Sequence, residues 1–121
     1  MEQDPMPPVK SMKWFGQIPV AITVCDKRGV ILDMNDKAAE TFSKDGGRSL
    51  IGKNLLDCHS DASQAQILRM LREQISNCYT IEKNGVKKLI YQTPWYQDGE
   101  FGGLIEFSFV IPESLPHFVR D

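Results

Sequence analysis

Two Asx-Gly pairs, Asn84-Gly85 and Asp98-Gly99, punctuate the last third of this 121-residue chain and constrain its fold more than any other feature. A two-residue hairpin turn of type I′ needs positive φ at both central positions, which Asn, Asp and Gly tolerate best. Apolar residues alternate around both pairs. Tyr79 and Ile81 alternate with Thr80 and Glu82, and Leu89, Tyr91, Thr93 and Trp95 share one strand face. Ile105, Phe107, Phe109 and Ile111 share a face of the following strand, which Pro112 ends. The segment from Asn77 to Ile111 is therefore expected to be a three-stranded antiparallel meander.

A second hairpin is expected near the other end. Val20, Ile22 and Val24 alternate with Ala21, Thr23 and Cys25, and Asp26-Lys27-Arg28-Gly29 reads as a turn. Val30, Leu32 and Met34 then alternate with Ile31 and Asp33. Between the strand groups the period becomes helical. Asn35-Asp36 is an N-cap signal for a short helix over Lys37 to Ser43, with Ala38, Ala39 and Phe42 inward. Lys44 to Gly47 breaks it, and Ser49 to Cys58 reads as helical turns over the core. Ser60 or Asp61 caps a longer helix reaching about Ser76, with Ala65, Leu68, Leu71 and Ile75 on the inward face. The order β-β-α-α-α-β-β-β implies an α+β domain, one antiparallel sheet with helices on one face.

Residues 1–17 read as a tail and a short amphipathic helix, with Val9, Met12 and Phe15 three apart and Gly16 as the stop. Residues 18–112 form the domain and 113–121 a C-terminal tail. Hydrophobic residues are 41% and charged residues 25% of the chain, ordinary globular proportions. A net charge of −2 gives no basic excess for nucleic acid or an anionic membrane. The stretch Met1 to Val9 lacks the layout of a signal peptide. Cys25, Cys58 and Cys78 are odd in number and widely spaced, so reduced thiols and a cytoplasmic location are expected.

That element order resembles the PAS fold, and local segments agree. Ile18-Pro19-Val20-Ala21-Ile22-Thr23-Val24-Cys25-Asp26 is similar to the family's first strand. Gly29 to Asn35 resembles its second strand with the closing asparagine, and Asp36 to Phe42 the helix after it. Leu50-Ile51-Gly52-Lys53-Asn54-Leu55 resembles the segment that follows, and Asp98-Gly99 with Gly103-Leu104 the last turn and strand glycine. The resemblance covers roughly residues 16–111. One departure stands out: the last strand ends Phe109-Val110-Ile111-Pro112 where the family has Asp-Ile-Thr, a triplet that often couples the domain to an effector helix.

The resemblance implies a PAS-like five-stranded antiparallel sheet with helices on one face, enclosing a small pocket. It implies a sensory, signal-transduction role, with ligand or partner binding and frequent dimerisation through the N-terminal helix and outer sheet face. The pocket is expected between the helix from 61 to 76 and the inner sheet face. Its expected lining is Ile22, Leu32, Phe42, Leu55, His59, Leu68, Tyr91, Ile105 and Phe107. Phe109 is also expected inside, and Ile90 and Leu104 outside, where with Met12, Trp14 and Phe15 they would form an apolar homodimer surface.

The candidate chemical motifs point to binding. Gly47-Arg48-Ser49-Leu50-Ile51-Gly52-Lys53-Asn54 falls one hydroxyl short of a phosphate loop, because Asn54 stands where Ser or Thr would bind magnesium. His59 could ligate haem iron, as a histidine near this position does in some relatives, although capping or a local hydrogen bond is the favoured role. Asp57-Cys58-His59-Ser60 lacks the Asn-Cys-Arg-Phe-Leu-Gln pattern of flavin photosensors. No local motif supplies a catalytic set, and Asp33, Asp36, Asp57 and Asp61 sit where carboxylates cap turns and helices. The first reading is a ligand-sensing domain. The alternatives are a ligand-free interaction module with a signalling protein partner, or a small enzyme. No metal, nucleic-acid or membrane partner is expected.

Overall fold

The Asx-Gly pairs are the turns of the expected meander: φ is 53° and 77° at Asn84 and Gly85, and 53° and 80° at Asp98 and Gly99. The computed structural model describes residues 13–121. The expectations for the tail Met1 to Val9 and for Met12 lie outside the described residues. In chain order the elements are α1 (Lys13–Gln17), β1 (Ala21–Cys25), β2 (Ile31–Met34) and α2 (Asp36–Thr41). Then come 3-10 turns at Ser43–Asp45, Gly47–Leu50 and Leu55–Cys58, followed by α3 (Asp61–Glu73). The chain then enters β3 (Asn77–Lys83), β4 (Val86–Gln97) and β5 (Glu100–Val110). The five strands form one antiparallel sheet in the order β2-β1-β5-β4-β3, so the first strand lies beside the last as expected.

Alternation gives the sheet two different faces. Ala21, Cys25 and Leu104 pack on the inner one beneath α2, α3 and the intervening turns, with Ile31, Met34, Ala38, Leu50, Ile67 and Met70. On the outer face Phe15 of α1, 1% exposed, packs against Ile22 and Val24, with Ile18, Val20, Trp95, Ile105 and Phe107 around them. This corrects the expected parity of the meander. Ile90 and Leu104 are buried on the inner side, while Tyr91, Phe107 and Phe109 belong to the outer one. Alternation separates residues into two sets and cannot say which set faces the helices.

Two bulges refine the parity. Cys25 pairs with Ile31 and Val24 with Asp33, which leaves Leu32 as the extra residue of β2. Ile31 and Met34 therefore both point inward, and Leu32 is 46% exposed. At the far end Trp95 pairs with Gly103 and Tyr96 with Phe101, leaving Gly102 as the extra residue of β5. The Trp95 ring lies over it, 2.3 Å from where a Gly102 Cβ would stand, and the indole N–H donates to the Cys25 carbonyl at 2.9 Å. Gly103 has φ +147°, and a Cβ there would sit 2.1 Å from the same carbonyl. Pro94 is tolerated within β4 because β3 reaches only Asn77, opposite Gln92, so no strand on that side needs its missing N–H.

Polar side chains fix the crossing from sheet to helices. Asn35, 1% exposed, caps α2 by accepting from Ala38 N, accepts from Ile22 N with the same oxygen, and donates to Val20 O. Asn54 accepts from Leu56 N and donates to Arg28 O, tying the first hairpin to the turns. The would-be phosphate loop is a 3-10 turn, and Arg48 there donates to Met34 O and pairs with Asp36. α1 continues through Gly16 to Gln17, so that glycine does not stop it. α3 ends earlier than expected, where Gln74 turns left-handed at φ 54°. Its inward face is also rotated by about one residue: Ile67 and Met70 are buried, while Ala65 and Leu68 are exposed.

Candidate functional site

A cavity of about 580 Å³ lies between the inner sheet face and the segment from α2 to α3. Its walls are mostly apolar: Ile31, Met34, Leu50, Ile67, Met70 and Leu104 meet there, with Ile81 and Ile90 on the β3–β4 side. Four of the residues expected to line a pocket border it, namely Phe42, Leu55, His59 and Ile105. Ile105 does so only along its strand, since its side chain packs in the outer cluster. The other five are elsewhere. Ile22, Tyr91 and Phe107 have the outer-face parity, Leu32 is displaced by the bulge, and Leu68 is 47% exposed on the solvent side of α3.

Sequence reasoning missed the polar part of the wall. Strand register aligns Asn77 with Gln92, Gln92 with Glu106, and Glu106 with Thr23. Asn77 donates from Nδ2 to Gln92 Oε1 at 3.1 Å, and Gln92 donates from Nε2 to Glu106 Oε2 at 2.7 Å. Tyr79, Ser108 and Lys88 border the cavity nearby. Burial pushes the Tyr79 phenol above its ordinary value, the Glu106 carboxylate adds to this, and a contact with Gln92 offsets part. The signal for this row was present in the sequence, because Thr23, Gln92 and Glu106 interrupt the apolar strands at the opposite parity from the aromatics.

Cys25 reaches the cavity from β1. Burial raises its thiol to about 11, a hydrogen bond with the Leu104 backbone opposes this, and Asp26 and Glu106 raise it further. A thiol so protonated is a poor nucleophile at neutral pH. Cys25 and Cys78 are both free, the first buried and the second exposed.

His59 makes a local bond. Its Nδ1 lies 2.6 Å from Leu55 O, and a carbonyl only accepts, so Nδ1 carries the proton. Gln64 Nε2 donates to Leu56 O and His59 O, closing this turn onto α3. The side chain is exposed, and in the neutral ring Nε2 would hold the lone pair. Among the described residues no group of three His, Cys, Asp or Glu is placed to hold a metal ion. One exposed imidazole, already bonded to Leu55 O, is a thin fit for haem. No helix among the described residues is long and apolar enough to cross a membrane.

Comparison with known proteins agrees with this architecture. The family profile described as the PAS fold matches residues 15–113. No curated protein matches the sequence. The PAS domain of Bordetella pertussis BvgS superposes with a TM-score of 0.58 at 23% identity, covering 82% of this chain and 82% of that one. VqmA of Vibrio cholerae, in a structure bound to DPO, gives 0.65 at 17% identity, over 87% of this chain and 58% of its own. The Vibrio cholerae Aer2 receptor, described as a dual PAS-heme oxygen sensor, gives 0.58 at 16%, over 77% of this chain and 95% of that one. At these identities the structural likeness is one of fold, while the profile match spans most of the sequence, and the chain belongs to the PAS family of sensory domains.

Proposed function

We propose that this domain senses a small organic molecule held in the cavity and passes its state on through the outer sheet face, without catalysis. The cavity carries this reading. About 580 Å³ of mostly apolar space with a few convergent polar groups is the form of a small-molecule site. A filled core would instead continue the packing of Ile67, Met70 and Leu104 against the sheet. VqmA bound to DPO and the haem-bearing Aer2 receptor support the reading by analogy of fold alone.

The outer face is the proposed output. Trp14 is 59% exposed, and Tyr91 and the stacked pair Phe107–Phe109 continue the apolar surface begun by Phe15. A second copy of the chain, or a signalling partner, would cover that surface. Residues 18–112 are the proposed sensing unit, with the N-terminal segment as part of the contact, in a cytoplasmic setting that keeps the thiols reduced.

Native mass spectrometry of freshly purified full-length protein tests the ligand. A non-covalent adduct that disappears on denaturation is the expected result. An apo mass together with a cavity that accepts no small-molecule probe counts against the reading. Sedimentation equilibrium of the full chain, against a variant lacking residues 1–17, tests the output face. A full-length monomer at tens of micromolar would remove the dimer.

A further inference from the structure

The polar row on the inner sheet face has a fixed direction. Asn77 has an acceptor in Gln92 Oε1, so the Gln92 amide presents Nε2 to Glu106. Glu106 Oε2 receives that bond, and among the described residues its other oxygen has no hydrogen-bond partner. The ion pairs Lys37–Glu40, Arg48–Asp36 and Arg69–Glu73 leave Glu106 out. Lys88 also borders the cavity, but it is four residues from Gln92 along β4, about 13 Å at strand spacing. Asp45 adds a second carboxylate to the wall. Thr23 stands directly across from Glu106 on β1, and Tyr79 keeps its phenolic proton near the same end. Beyond the row the wall is apolar, with Met70, Ile67 and Leu104 on one side and Ile90 on the other.

A carboxylate inside a mostly apolar cavity accepts and does not donate. Its natural complement is a charged or strongly polarised N–H, which makes the short, strong class of hydrogen bond. An anionic ligand would instead meet like charge from Glu106 and Asp45.

We infer that the ligand of this cavity is a small amine or amidine with an apolar body, whose N–H group is held by Glu106 with Gln92 as its positioning residue. This rests on the proposed role of the cavity as a ligand site. It adds the chemical class, which the fold does not specify.

Three probes of one size and shape test it on the full-length chain: 2-phenylethylamine, 2-phenylethanol and phenylacetate. Titrations are followed by NMR at the methyl groups of Ile67, Met70, Ile90 and Leu104 and at the side-chain amide of Gln92. The amine is expected to bind about tenfold or more tightly than phenylacetate, the range of a charge-assisted hydrogen bond. Glu106→Gln keeps the shape and removes the charge, and is expected to bring the amine down to the level of the alcohol. Binding of any probe in the cavity without preference for the amine overturns the inference and leaves the ligand site standing. An amine preference that survives Glu106→Gln overturns the role of Glu106. If none of the three shifts the cavity methyl groups, the ligand site falls with it. Should Glu106→Gln fail to fold, the wild-type amine-to-carboxylate ratio and the shift of the Gln92 amide decide the matter.

Discussion

The two faces of the sheet are built to opposite rules. The outer face carries Ile22, Val24, Trp95, Ile105 and Phe107, closed by Phe15. The inner face mixes Cys25, Ile90 and Leu104 with Thr23, Gln92, Glu106 and Ser108. Both faces pack against helix: the outer one takes α1 through Phe15, while the inner one lies under α2 and α3 and also borders the cavity. A face that packs against side chains gains from uninterrupted apolar area. A face that must recognise a molecule needs a few polar groups where water has been thinned out. The aromatic stripe thus lies on one strand parity and the polar interruptions on the other, where they border the cavity.

The sharpest way to break this comparison is at Phe15. It is almost fully buried, and Phe15→Ala is expected to cost about 3–5 kcal/mol of unfolding free energy in a urea titration. Cavity binding of a probe that the intact protein holds should persist wherever the variant stays folded. A cost below about 1 kcal/mol would mean the outer cluster does not hold α1 to the sheet.

The inner face should announce itself in alkali. The Cys25 thiol titrates near 11 in the folded chain against an ordinary 9.0, so the folded state holds the proton more tightly. Its contribution is complete below pH 9 and is lost as pH rises through 11. Unfolding free energy should fall by about 2–3 kcal/mol across that window, and Cys25→Ala should flatten the fall. Urea midpoints measured from pH 8 to 11 on both proteins decide it; parallel curves would place the alkaline loss elsewhere. Exposed Cys78 should react with a thiol reagent well before Cys25 does.

Phe107 sharpens the comparison further. It is half-buried on the outer face and stacked on Phe109 with ring centroids 5.9 Å apart. Phe107→Ala should cost about 1–2 kcal/mol, below the range of a fully buried aromatic. It should leave probe binding in the cavity unchanged, and a lost probe would restore Phe107 to the ligand wall.

The smallest effect is expected at His59. Losing its bond to Leu55 O should cost about 0.5–1.5 kcal/mol in His59→Ala. Absorption spectra of protein mixed with haemin should be the same with and without the imidazole. A Soret band that the substitution removes would make Nε2 an iron ligand.

Most of the topology was legible because its signals are local. Asn84-Gly85 and Asp98-Gly99 specify their turns within four residues, and Asn35 specifies a helix start. The bulge at Leu32 was not legible, because an inserted residue changes parity without changing composition. The face of α3 was ambiguous for a related reason. Leu71 belongs both to the expected stripe through Ala65 and Leu68 and to the observed one through Ile67 and Met70, and Ile75, beyond the end of α3, packs on the same cluster. The site suffered most, since a wrong parity moves every side chain of a strand to the other side at once. Phe42, Leu55 and His59 escaped because they lie outside the strands, in turns that cover only one face.

Cys25 belongs to both faces. Its side chain borders the cavity, and its carbonyl receives the indole N–H of Trp95 from the outer side. The two tryptophans differ in access, Trp14 being 59% exposed and Trp95 partly buried. Where the outer face is uncovered, a soluble quencher such as iodide reaches the first more readily than the second. The emission that survives is then weighted toward an indole bonded to the Cys25 carbonyl, an optical gauge of β1 readable without a dye or a label.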